Sequence, residues 1–197
     1  MRRAIAILPF YLFTLLLLLS ACSAESEYTT WPCRFAYDNS IHLDQTLATA
    51  TDINVRGIFC KVTESTEGGA KYLNFQNSDG LVSSQRETAE ELRMEYRIGL
   101  NNGIIIGFQT MNDSPNGGFV AYDIQCPNCV REYDNYVAPN YIVDMNNKGV
   151  ATCRKCKRQY QLNNGGIIIN GKEGDVGLER YRNAITAGPQ GTTSVFP

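Results

Sequence analysis

Four cysteines constrain this chain more than any other feature. Cys126-Pro-Asn-Cys129 and Cys153-Arg-Lys-Cys156 together read C-x2-C-x23-C-x2-C. A spacing of two lets each pair grip one ion from a tight turn, and two such turns facing each other make a tetrahedral thiolate cage. The central separation is longer than the about 15–20 residues of a usual zinc ribbon. Pro127 stiffens the first turn. The glycine common after such knuckles is absent, because Val130 and Lys157 stand there. Two other uses compete: a thioredoxin-like dithiol, which needs a βαβ context, and two short-loop disulfides made during export.

The rest of the chain has the pattern of an all-β protein. Short apolar or alternating runs are punctuated by Gly, Asn, Asp and Ser: RFAY, GIFCKV, KYLNF, MEYRIGL, IIIGFQT, GFVAYDI, YIVDM and IIIN. Residues 83–95 (SSQRETAEELRME) compete as a short helix, capped by Ser84 with Glu87, or as an exposed loop. Asn-Gly occurs in LNNGIII at 100–106 and in LNNGGIII at 162–169, and each predicts a tight hairpin. TMNDSPNGG at 110–118 is a loop, and AGPQGTTSVFP is an extended tail. No low-complexity linker divides residues 31–197, so one domain with a metal-binding subdomain at 122–164 is expected.

The first residues predict a secretory signal: MRR, then an apolar stretch from residue 4, then LSAC at 19–22. Pro9 interrupts that stretch, which is short for a hydrocarbon core of about 30 Å. Leu19-Ser20-Ala21-Cys22 resembles the lipobox of bacterial lipoproteins. The resemblance implies a signal peptide over 1–21, acylation of Cys22, and a membrane partner held through that anchor. Residues 22–30 are then a flexible tether. Ser23 stands where the inner-membrane retention signal places Asp, which implies the outer membrane of the cell envelope. Glu25 and Glu27 bear on whether the protein faces the periplasm or the surface.

Seven cysteines are an odd number for an exported protein, and Cys22 takes the odd place. With four in the paired motif, Cys33 and Cys60 remain. An oxidising compartment favours a disulfide between them, and their apolar neighbours suit two buried thiols equally well. Eighteen basic and 20 acidic residues give no polyanion-binding signal, so no nucleic-acid partner is expected. Arg154, Lys155, Lys157 and Arg158 read instead as electrostatic companions of a tetrathiolate.

From Gly118 onward the layout is similar to a Rieske-type iron–sulfur domain. GFVAYDIQCPNC holds the first metal-loop position, and ATCRKCKRQYQLNNGGIII the second. WPCRFAYDNS and the NNGIII turn also resemble a group of uncharacterised lipoproteins with that fold. The resemblance implies a small antiparallel sandwich or barrel of Rieske-like type, carrying a zinc-ribbon-like four-cysteine subdomain. A Rieske cluster takes two histidines on one iron. Here Cys129 and Cys156 stand at those places, and the single histidine, His42, is remote. Residue count therefore excludes a true Rieske centre. Cys126, Cys129, Cys153 and Cys156 suit zinc first, with a single iron or an all-cysteine [2Fe–2S] cluster as alternatives.

No nucleophile-and-histidine set points to hydrolysis, and no catalytic residue is assigned. The expected protein is a non-catalytic envelope lipoprotein with a structural zinc site, its protein or small-molecule ligand unspecified. An electron carrier using iron on the same scaffold is the alternative.

Overall fold

The computed structural model describes residues 28–111, 118–133 and 137–197. The expected signal sequence, the expected Cys22 anchor, residues 22–27 of the expected tether and most of the loop at 110–118 lie outside the described residues. Among those described, twelve strands in three antiparallel sheets and four short helices make a mostly β protein.

The central sheet has five strands: β2 (Phe59–Glu67), β3 (Ala70–Asn77), β4 (Val82–Arg86), β5 (Ile104–Phe108) and β6 (Phe119–Asp123), in the order β4-β3-β2-β5-β6. β5 and β6 are buried at every position, as continuous apolar runs in a doubly covered strand must be. Alternation divides their side chains between two cores. Ile104, Ile106, Phe119 and Ala121 enter the first, while Ile105, Val120 and Tyr122 enter the second.

The first core is closed by a three-stranded sheet of β1 (Phe35–Asp38), β12 (Thr192–Phe196) and β11 (Asn183–Thr186). The C-terminal segment expected as an extended tail supplies β12, the middle strand, pairing with β1 and β11 at once. Helices α1 (Asn39–His42) and α2 (Gln45–Ala50) follow β1. Asp38 and Asp44 cap them by accepting hydrogen bonds from Ser40 N and Leu47 N.

Cys33 and Cys60 lie together in this first core. Both are free and buried in this structure. Burial pushes Cys33 up to about 12 and Cys60 higher still, so both are un-ionised hydrophobic packing groups.

Several expectations shift. The helix within 83–95 is α3 (Ala89–Met94), capped by Thr88 with Glu91 rather than by Ser84 with Glu87. Ser84 lies in β4, where its hydroxyl bonds Asn74 of β3. MEYRIGL makes no strand and only an isolated bridge between Arg97 and Arg34. The tether ends early: Thr29 is buried and donates its N–H to Arg180 O at 2.8 Å, and Tyr28 lies beneath Arg180 and Arg182.

The second core sits between the other face of the central sheet and a four-stranded sheet. That sheet contains β7 (Val143–Met145), β8 (Val150–Cys153), β9 (Gln159–Gln161) and β10 (Ile167–Ile168). Leu178 also packs there, so the cysteine-bearing unit extends beyond the expected limit at 164.

Candidate metal centre

β6 runs through Asp123-Ile124-Gln125 into Cys126, the N-cap of α4 (Pro127–Glu132). Pro127 occupies the first helical position, where its missing N–H and fixed φ cost nothing. Cys129 follows within the first turn, so the first knuckle is helical and needs no glycine at Val130. The second knuckle is a turn at the end of β8. Cys153 N donates to Arg158 O at 2.9 Å, and Lys157 N donates to Cys153 O at 3.1 Å. Lys157 has φ +63°, the left-handed conformation that the absent glycine would have supplied.

These knuckles bring all four sulfurs within 4.8 Å of one another. Cys126 Sγ lies 3.7 Å from Cys156 Sγ, and Cys129 Sγ lies 3.6 Å from Cys153 Sγ. Sulfurs placed about 2.3 Å from a central ion form a tetrahedron with edges of about 3.8 Å. The donor set therefore fits a single metal ion. Cys126, Cys129 and Cys153 are fully buried in the second core, while Cys156 is half-buried. His42 stands elsewhere, its Nε2 3.1 Å from Glu91 Oε1 and its ring stacked on Tyr37.

Four thiols this close cannot all ionise without a cation. Hydrogen bonding between the thiols and burial push Cys126 up, and burial followed by Cys156 pushes Cys129 up to about 12. Cys153 takes the opposite course, down to about 5. Hydrogen bonding with Cys126 leads that shift, and the backbone N–H groups of Cys156 and Lys155 add to it.

Around the sulfurs is a set of contacts that spacing alone did not reveal. Tyr160 Oη lies 3.0 Å from Cys126 Sγ and accepts a hydrogen bond from Asn128 Nδ2 at 3.0 Å. Asn128, inside the first knuckle, also clamps Val176 by donating to its carbonyl at 2.8 Å and accepting from its N–H at 3.0 Å. Gln125 Nε2 donates to Cys126 O and Tyr141 O, and Asn101 Nδ2 donates to Gln125 Oε1. A polar residue inside a C-x-x-C pair and an aromatic residue four positions after the last cysteine were the available signals.

The repeated Asn-Gly turn therefore has two different structural roles. At 162–169 it closes the β9–β10 hairpin as expected, and Gly166 at φ +71° also sits where a Cβ would meet Tyr122 at 2.8 Å. At 100–103 it is no hairpin, because no strand precedes it. There it presents Leu100 N to Asp123 and Asn101 to Gln125, bracing the entry to Cys126.

The cations near the second knuckle are mostly engaged with other groups. Arg154 forms a two-pronged pair with Asp144 at 2.5 and 2.8 Å, and Lys61 of β2 reaches the same carboxylate at 3.3 Å. The Arg158 fork bonds Glu132 and Asp175, and Arg158 also interacts with Cys156. Glu132 is held down to about 2 by Arg158 and then Lys172. Lys157 Nζ donates to Arg154 O, and Lys155 lies over the Tyr133 ring. These residues fasten the knuckle to its surroundings as much as they offset thiolate charge.

Fold and site together define an antiparallel β protein with a tetrathiol cluster able to bind a metal ion. No family model, curated protein or solved structure matches the chain.

Proposed function

We propose that this chain is a non-catalytic lipoprotein of the cell envelope, on a Rieske-like scaffold, in which a structural zinc ion joins the two knuckles. The observation that carries the metal reading is the compactness of the four sulfurs, all within 4.8 Å of one another. A two-iron cluster would divide its thiolates between two centres and lengthen four of the six separations. A single ion requires no such spread. The cage supplies all four ligands from protein and buries three of them, which suits a closed structural site better than a catalytic one with an open position. Zinc is favoured over other single ions by soft thiolates in a tetrahedral set.

Two further parts of the proposal rest on sequence. The MRR and LSAC segments support a Cys22 lipid anchor and outer-membrane residence. The succession of strand, cysteine knuckle, second knuckle, Tyr160 and glycine turn supports the Rieske-like scaffold. Half-exposed Cys156 favours one alternative, an electron carrier with a single iron, because a surface-facing ligand is a short exit for an electron.

Elemental analysis with intact mass on anaerobically purified protein tests the proposal. One zinc per chain, with a diacylglyceryl mass on Cys22, is the expected result. One iron with thiolate charge-transfer absorption would replace zinc by the electron-carrier reading. Metal-free protein with two disulfides would overturn both.

A further inference from the structure

The four sulfurs are not equivalent. Three are fully buried, and Cys156 alone of the set is half-buried, at the tip of a turn whose Arg154, Lys155 and Lys157 are all exposed. A reagent from solvent therefore meets Cys156 first. Across the knuckles Cys126 Sγ lies 3.7 Å from its sulfur, and Cys129 Sγ lies 3.6 Å from Cys153 Sγ. Building on the single-metal reading, we propose that Cys156 is the entry point for thiol–disulfide exchange, and that oxidation of the cage cross-links the knuckles as Cys126–Cys156 and then Cys129–Cys153.

The co-reactant is a small disulfide. The Cys156 thiolate attacks one of its sulfurs, forming a mixed disulfide and expelling one thiolate. The Cys126 thiolate then attacks the Cys156 sulfur, forming the protein disulfide and expelling the second thiolate. Two electrons pass from the protein to the small disulfide, and each expelled thiolate takes a proton from water. Losing two of four ligands, the metal dication leaves. Cys129 and Cys153 repeat the exchange with a second small disulfide.

The pairing determines the consequence. Bonds within Cys126–Cys129 and Cys153–Cys156 would leave the α4 knuckle and the β8 knuckle unconnected. Cross-knuckle bonds tie α4 to β8 across 30 and 24 residues of chain, replacing one staple by another. The second core stays closed after the metal is lost.

The test treats metal-loaded full-length protein with bis(2-hydroxyethyl) disulfide and follows metal release with a chromogenic chelator and bonding by peptide mass mapping. Metal content is measured beforehand, so failure of the metal reading is seen separately from failure of the exchange order. The expected result is metal release in step with a Cys126–Cys156 cross-link, and a trapped hydroxyethyl adduct on Cys156 in Cys126→Ser. First adducts on Cys126, Cys129 or Cys153, or cross-links within the C-x-x-C pairs, overturn the proposal. Should Cys126→Ser fail to fold, limiting N-ethylmaleimide on the unmodified chain is decisive. Labelling at Cys156 about tenfold above the other three supports the order, and even labelling overturns it.

Discussion

Tyr160 Oη stands 3.0 Å from Cys126 Sγ while accepting a 3.0 Å hydrogen bond from Asn128 Nδ2. With Asn128 occupying an acceptor position of the phenol, the phenol proton is directed at the sulfur. Burial and then the neighbouring thiol push Tyr160 up, so it remains a donor. Tyr160→Phe is therefore expected to weaken metal binding by about 10–100-fold. Chelator competition measures the loss, and a shift of the sulfur-to-metal charge-transfer bands after cobalt substitution separates it from simple unfolding.

Metal removal is expected to affect the two cores unequally. Cys126, Cys129 and Cys153 are members of the second core, whereas the first is built from β1, β11, β12 and the other face of the central sheet. Structural thiolate sites contribute folding free energy directly. Hydrogen exchange with chelator should show protection lost first in α4 and β7–β10, with β1 and β12 retained longer. Equal loss in both cores would show that the cage does not hold the subdomain selectively.

At the second knuckle, Lys157 carries strain that glycine would relieve. Its φ of +63° lies in the left-handed region, which costs a residue with a Cβ about 1–2 kcal/mol. Lys157→Gly loses the Nζ–Arg154 O contact, which is exposed and contributes little. Denaturant unfolding should show a net gain of about 1 kcal/mol, less the extra entropy glycine gives the unfolded chain. A loss would show that the lysine contact outweighs the backbone strain.

Asp123 makes stability fall with rising pH. It is fully buried, and burial pushes its carboxyl up to about 6 against three opposing hydrogen bonds, from Tyr181 Oη, Leu100 N and Gln125 N. The folded chain thus keeps this proton to about pH 6, while the unfolded chain releases it near the ordinary aspartate value of 3.8. Between those values the folded state binds more protons, so its advantage shrinks as pH rises, by on the order of 3 kcal/mol for two pH units. Gly99 makes room for this carboxylate, since a Cβ there would meet Asp123 Oδ2 at 2.7 Å. In Asp123→Asn the absolute stability drops with one lost acceptor, but the slope contributed between pH 4 and 6 should vanish. Persistence of the slope would assign it to another group.

Much of this architecture was legible because its signals are local. The runs IIIGF and FVAYD declare strands, and each C-x-x-C pair declares a knuckle. What was illegible depends on long-range pairing. β12 is polar enough to read as a tail, with Thr192, Thr193 and Ser194 along it, and only insertion between β1 and β11 makes it a strand. Helices α1 and α2 are too short for periodicity, and their caps at Asp38 and Asp44 are ordinary turn residues in sequence. The two Asn-Gly turns look alike, yet only one has a strand on each side.

That last difference is testable at adjacent positions of one turn. Asn101 Nδ2 donates to Gln125 Oε1 at 2.9 Å and to Ala138 O at 2.8 Å, fixing the residue before Cys126. Asn102, at φ +51°, instead bonds the backbone of Glu64 in β2 through both side-chain atoms. Removing either side chain should cost about 1–2 kcal/mol by the hydrogen bonds lost. Their effects on the cage should diverge. Asn101→Ala leaves a buried amide oxygen unpaired beside the first ligand and should weaken metal binding measurably in chelator competition. Asn102→Ala, acting on the far side of the turn, should lower stability with metal affinity unchanged. Equal losses of affinity would mean that the turn acts on the site only through global stability, and that Asn101 has no specific role in holding Cys126.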